Sequence, residues 1–174
     1  MRKNIFVALF LLLAISLMSA CKVAENNVLF KQVDSYIGSG GHGHVFVGAS
    51  VPFGAVQVGP NNIFKGWDWC SGYHYSDSII IGFSQTHLNG TGCADMGDIL
   101  MMPYTGEVKI KRGEQNDISG GYASYFKHSN ETVNPASYSV LLDNGVKVQL
   151  TATAHTGFHK YIFPTRKDGH VIID

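Results

Sequence analysis

From Pro103 onward, apolar and polar residues alternate with a period of two, the signature of strands with one buried face. In residues 107–112, Val108 and Ile110 alternate with Lys109 and Lys111, which predicts a half-exposed strand. After the Gly120-Gly121 turn, residues 122–128 predict an aromatic strand. Residues 138–142 and 146–153 predict two more, joined through Asp143-Asn144-Gly145. That tripeptide signals a hairpin, read as a type I′ turn with positive φ at both central positions. Val146, Val148 and Leu150 share one face of the second strand, and Lys147, Gln149 and Thr151 share the other. Residues 158–163 and 170–173 continue the series. Earlier runs are shorter: 79–81 and 99–102 predict buried strands, while 45–49 and 55–58 flank a turn at Pro52-Phe53-Gly54. Residues 28–37 predict a short helix or an irregular packed segment. Short, regularly spaced strands without a convincing amphipathic helix predict an all-β fold, a β-sandwich spanning 28–174. The last run stops at Asp174 inside Val171-Ile172-Ile173, so the sandwich is expected to be incomplete at its C-terminus.

The N-terminus departs from this pattern. Arg2 and Lys3 precede an apolar run over residues 5–17, then Met18-Ser19-Ala20-Cys21. A basic head, an apolar stretch and small residues before a cleavage point form an export signal. The run falls short of the roughly 20 apolar residues of a spanning helix. Cys directly after Ser19-Ala20 predicts a bacterial lipoprotein signal over 1–20, with Cys21 the lipidated first residue of the mature chain and 21–27 a polar tether. The expected location is periplasmic, outer-membrane or cell-surface. Losing Arg2 and Lys3 takes the net charge from +0 to about −2. With no basic patch to hold a phosphate backbone, a nucleic-acid partner is not expected. Export permits a disulfide between Cys70 and Cys93, and two separate thiols fit the sequence equally well.

Candidate chemistry concentrates in residues 66–103, where Trp67, Trp69, His74 and His87 sit among Gly, Ser, Asn and Asp. Four histidines, His42, His44, His74 and His87, raise a transition-metal site, but Cys and carboxylate ligands at metal spacing are missing and none is assigned. Cys70 and Cys93 lack the signature of an activated thiol. Asp68, Asp77, Asp95 and Asp98 offer carboxylates, yet no pair is catalytic by spacing, and Asp77 and Asp98 suit turn capping. Carbohydrate recognition fits best, because sugars present apolar C–H faces rimmed by hydroxyls. Trp67, Trp69 and Tyr73 supply platforms, and Asp68, His74, His87, Asn89 and Asp95 supply directional hydrogen bonds. Trp67 and Trp69 fall on one side of an extended segment, and one of them is expected to reach a ligand.

The series SGGHGH, PFGAVQVGPN, GWDWCSGYHYSD and GFSQTHLNGTGCADMGDILMMP resembles the N-terminal domain of family 92 glycoside hydrolases. The likeness continues through FKHSNETVNPASYSVLLDNGVKVQLTATAHTGFHKYIFP and so covers nearly all of residues 34–173. The resemblance implies a two-domain, calcium-dependent, inverting exo-α-mannosidase acting on N-glycans or related mannans. Its sandwich is followed by a helical domain, absent here, that supplies the acid Glu, the base Asp and most calcium ligands. It therefore implies no catalytic residue in this chain and no mannose release by residues 21–174 alone. It also implies one wall of a mannose pocket, built here from Trp67, Asp68, Trp69, Cys70, His74, His87, Asn89, His42 and His44, with a Trp of GWDWC against the sugar. Two departures stand out: Gln85 replaces the family's His in FSQTH, and Pro135-Ala136-Ser137-Tyr138-Ser139-Val140 replaces PGYYSV. The alternative is a stand-alone carbohydrate-binding or adhesion sandwich.

Overall fold

The computed structural model describes residues 32–95, 97–165 and 168–174. The signal 1–20, the tether 21–27 and the lipidation candidate Cys21 lie outside the described residues. Among those described, no helix is long and apolar enough to cross a membrane. Val33–Asp174 forms one compact unit.

Its strands are β1 (Gly59–Asn61), β2 (Ile79–Ile80), β3 (Gly82–Ser84), β4 (Met101–Thr105), β5 (Ser124–Asn134), β6 (Ser137–Leu142), β7 (Lys147–Ala152), β8 (Gly157–Ile162) and β9 (Gly169–Ile173). They form two antiparallel sheets, ordered β1-β3-β4-β9 and β2-β5-β6-β7-β8. The chain passes from one sheet to the other at Ile81, whose N–H donates to the Asn61 carbonyl at 2.9 Å. Phe83, Met102 and Tyr104 of the first sheet share a buried cluster with Phe126, Tyr138, Val140, Leu142, Val148 and Leu150 of the second. The Phe83 and Tyr138 rings meet across it, 6.2 Å between centroids. Each such side chain contributes about 1.5–3 kcal/mol of burial. The fold is the all-β sandwich that the alternation predicts.

Two local expectations change and a third is decided. Residues 107–112 are an irregular surface segment, with Val108 and Ile110 72% and 82% exposed. Alternation fixes where side chains point but supplies no neighbouring strand; among the described residues no strand forms here, although the Lys111 and Arg112 carbonyls accept from the Tyr122 and Ala123 N–H groups at 2.9 and 3.0 Å. The β6–β7 hairpin is not type I′, since Gly145 has φ +91° while Asn144 is not in the left-handed region. The Gly145 N–H donates to the Leu142 carbonyl at 2.9 Å and the Leu142 N–H to the Val146 carbonyl at 3.0 Å, which makes a three-residue loop closed by a bulge. Asn144 can stay right-handed there because its side-chain oxygen accepts from the Val146 N–H at 3.0 Å and its amide donates to the Pro103 carbonyl at 3.2 Å. Residues 32–37 form turns, the irregular option for that segment.

Candidate functional site

Two loops converge at one edge of the sandwich. The first carries SGGHGH. The second begins at Gly66, whose φ of +119° suits only glycine, and enters a single 3-10 turn over Trp67–Trp69. That turn decides the tryptophans. Residues two apart in a tight helix point in different directions, so the shared side expected of an extended segment is lost.

Trp67 faces outward and stays 57% exposed. His44 packs edge-on against its ring at a centroid distance of 4.2 Å, and His42 lies 5.5 Å away. His42 Nδ1 meets Asp68 Oδ1 at 2.6 Å, and His44 Nε2, buried and without a hydrogen bond, points at the same oxygen from 3.6 Å. The hydrogen bond from His42 holds the Asp68 carboxyl below its ordinary value, with His44 acting in the same direction. Asn89 braces this group from a third loop: its side-chain oxygen accepts from the Phe46 N–H at 3.0 Å. The neighbouring Gly90 N–H donates to the His44 carbonyl at 2.8 Å. Gly92 lies so close to Trp67 that a Cβ there would stand 2.6 Å from the indole nitrogen.

Trp69 turns the other way. Its indole N–H donates to Asp77 Oδ2 at 3.0 Å, and its ring stacks on His74 at 4.3 Å. Asp77 is buried and fully engaged, taking Lys65 at 2.8 Å and the N–H groups of Ser78 and Ile79. It is the turn-capping carboxylate that its position predicts. Asp98 accepts from the Thr86 hydroxyl at 2.9 Å. His74 is buried and meets the Gly41 carbonyl at 3.2 Å, tying the second loop to the first. His87 is also buried, with Nδ1 at 2.7 Å from the Gln57 carbonyl and its ring stacked on Phe46. Burial pushes its pKa down to about 4, so the imidazole is neutral. Cys70 is buried with its thiol directed at the Trp67 carbonyl; Cys93 is exposed, and both are free. The four histidines do not meet at one point. Among the described residues, no three His, Cys, Asp or Glu side chains are grouped to hold a metal ion.

The nine candidates thus separate. His42, Trp67, Asp68 and Asn89 share the exposed platform, with His44 buried against Trp67. Trp69, Cys70 and His87 border an adjoining cavity of about 210 Å³, together with Asn61, Asp95 and Arg112. His74 lies behind Trp69 as support. Gln85 belongs to neither group: its amide meets His159 Nε2 at 2.6 Å, and His159 Nδ1 meets the Tyr161 hydroxyl at 2.7 Å. Burial lowers the His159 pKa to about 4 and so favours this neutral acceptor. Gln85 therefore packs toward β8.

The sequence reading missed Glu131, a buried carboxylate on β5 that receives Tyr36, Tyr73, Tyr138 and His128. Regular alternation could not have found it: Phe126 and Glu131 both point inward although five positions apart. Odd spacing between inward residues requires a bulge, and the β5–β6 register does shift between them.

The model of the glycosyl hydrolase family 92 N-terminal domain matches residues 32–174. The chain belongs to that family. A family GH92 α-mannosidase from Bacteroides thetaiotaomicron, solved in complex with mannoimidazole, is 38% identical with a TM-score of 0.80, covering 84% of this chain and 19% of its own. A family GH92 inverting mannosidase from Bacteroides thetaiotaomicron VPI-5482 is 29% identical with a TM-score of 0.57, covering 75% of this chain and 17% of its own. An uncharacterized secreted glycosidase of Arthroderma benhamiae is 26% identical over 144 residues, which is 80% of this chain and 18% of that protein. The chain therefore spans about a fifth of the length of these family 92 relatives.

Proposed function

We propose that this chain is the N-terminal sandwich of an exported, inverting exo-α-mannosidase and supplies one wall of its mannose pocket. The observation that carries the reading is Trp67, an exposed indole with an ionised carboxylate and an imidazole at its rim. The ring offers an apolar face to sugar C–H groups. Asp68 accepts from sugar hydroxyls, and the exposed His42 can donate or accept. Both loops rest on a rigid sheet, so the wall is organised before sugar arrives.

The acid and base belong to a C-terminal helical domain in this reading. Inversion needs two carboxyls about 6.5–9.5 Å apart with a water between one of them and the sugar. Asp77 is buried under Lys65 and backbone amides, and Asp68 is paired with His42, which suits binding and capping better than proton transfer. Calcium, the expected cofactor, is assigned to that same domain, and no step on this chain is routed through it. The substrate is a mannose-containing glycan of the N-glycan or mannan type. The secreted relative supports export, and Met18-Ser19-Ala20-Cys21 supports a lipid anchor at Cys21 on the bacterial envelope.

In the full-length protein, Trp67→Ala is expected to raise KM for an aryl α-mannoside by about 10- to 100-fold, the scale of losing a central aromatic contact. Trp69→Phe keeps the stacked ring and is expected to change KM far less. Equal effects, or none from Trp67→Ala, would overturn the placement of the sugar on Trp67.

A further inference from the structure

Beneath the two loops, Glu131 stands on β5 with its residue 8% exposed and its carboxylate out of solvent. Oε2 takes the Tyr73 hydroxyl at 3.0 Å, the Tyr36 hydroxyl at 3.2 Å and His128 Nδ1 at 2.9 Å; Oε1 takes the Tyr138 hydroxyl at 2.7 Å. A carboxylate has about four lone-pair sites, two on each oxygen; three of the four donors here share Oε2 and one takes Oε1. Their origins matter more than their number. Tyr138 belongs to β6 and lies in the sandwich core. Tyr36 leads into SGGHGH, with its carbonyl accepting from the Ser39 N–H at 3.0 Å and the Ser39 hydroxyl at 2.8 Å. Tyr73 belongs to the loop of Trp67 and Asp68. The two loops also touch directly, through the Tyr75 N–H to the Ser39 carbonyl at 2.8 Å.

Burying an ionised carboxylate costs several kcal/mol unless its partners replace water, and apolar side chains of similar size often stabilise a core as well. What an apolar residue cannot do is fix the direction of three hydroxyls. We infer that Glu131 is a positioning residue: through Tyr36 and Tyr73 it sets the SGGHGH loop and the Trp67–Asp68 loop at one height and orientation above the sheet. The distance between His42 and Asp68, and hence the polar rim of the Trp67 platform, follows from that common anchor. The inference rests on the sugar-wall reading for its effect on binding, but the anchoring itself can be tested without sugar.

The test uses the full-length protein and single hydroxyl deletions, which leave every ring in place. Tyr36→Phe and Tyr73→Phe each remove a loop tether. Tyr122→Phe removes a comparable hydroxyl, which donates to Asp174 at 3.0 Å away from the two loops, and serves as the control. Hydrogen exchange at residues 38–44 and 67–75 is expected to quicken about tenfold in the first two variants and to stay unchanged in Tyr122→Phe. Their KM for an aryl α-mannoside is expected to rise about threefold to tenfold with kcat held within twofold. Glu131→Gln, which keeps size and one acceptor oxygen, is expected to fall between wild type and Glu131→Leu in both readouts. Unchanged loop exchange, or a loss in kcat without a change in KM, would overturn the assignment. Quickened exchange with unchanged KM in both the tyrosine variants and Trp67→Ala keeps the anchor and discards the sugar reading.

Discussion

The sandwich holds two regions built by different rules. In β6 and β7, burial alternates residue by residue: Tyr138, Val140 and Leu142 face inward, as do Val148, Leu150 and Ala152. Strand geometry imposes that period, so the linear pattern reports the fold directly. In the loops at 38–44 and 66–77 no period applies. Polar His44, His74 and Asp77 are buried while Trp67 is exposed. His44 packs on Trp67 and His74 meets the Gly41 carbonyl, each partner lying far off in sequence. Tyr73 and Glu131 are 58 positions apart, and His42 and Asp68 are 26 apart. The difference teaches where to expect stability and where to expect binding. The meander keeps the unit folded, and the loops hold polar and aromatic groups where an apolar core would not place them.

Substitutions can separate the two roles. The largest effect is expected from Phe83→Ala, which opens a void between the sheets and costs about 3–5 kcal/mol of stability. Thermal unfolding should show it, while under the proposed reading affinity of the folded full-length protein for an α-mannoside stays at wild type. A matched loss of affinity would mean that the core also shapes the wall. The next effect is a pH dependence. The His87 pKa is about 4 when folded, against about 6.5 for an unfolded histidine. Between those values the unfolded chain binds the extra proton, so stability is unaffected above pH 6.5 and declines as pH falls toward 4, by up to roughly 3 kcal/mol. His87→Gln should flatten the fall of Tm between pH 7 and 4.5; an unaltered slope would mean that other groups carry it. The smallest effect is expected from Gly92→Ala, whose Cβ would press on the Trp67 indole nitrogen. In the full-length protein, under the proposed reading, it should raise KM for an aryl α-mannoside a few-fold and leave Tm within about 2 °C. A drop in Tm as large as that of Phe83→Ala would erase the distinction between the regions.

The secondary structure was legible wherever side chains alternated against a packed face. The strands over 137–142, 147–152, 157–162 and 169–173 lie within two residues of their expected ends. Val108 and Ile110 misled because alternation carries direction without naming a neighbour. The Asp143-Asn144-Gly145 turn was correctly placed, but its type depended on Asn144 finding Pro103 across the sandwich. At the site, the composition of residues 66–77 suggested carbohydrate recognition, and a wall only through the family resemblance, yet it did not separate Trp67 from Trp69. One 3-10 turn, opened by Gly66, did that.

The sequence alone therefore determined the all-β class, the hairpin order and the crowding of aromatic and polar groups in two glycine-rich loops, because these follow from local periodicity and turn chemistry. The tertiary structure decided which of those groups face solvent, which are spent on holding the loops, and that Glu131 anchors both. Those outcomes depend on hydrogen bonds closing over long stretches of chain, and no local pattern encodes which partners will meet.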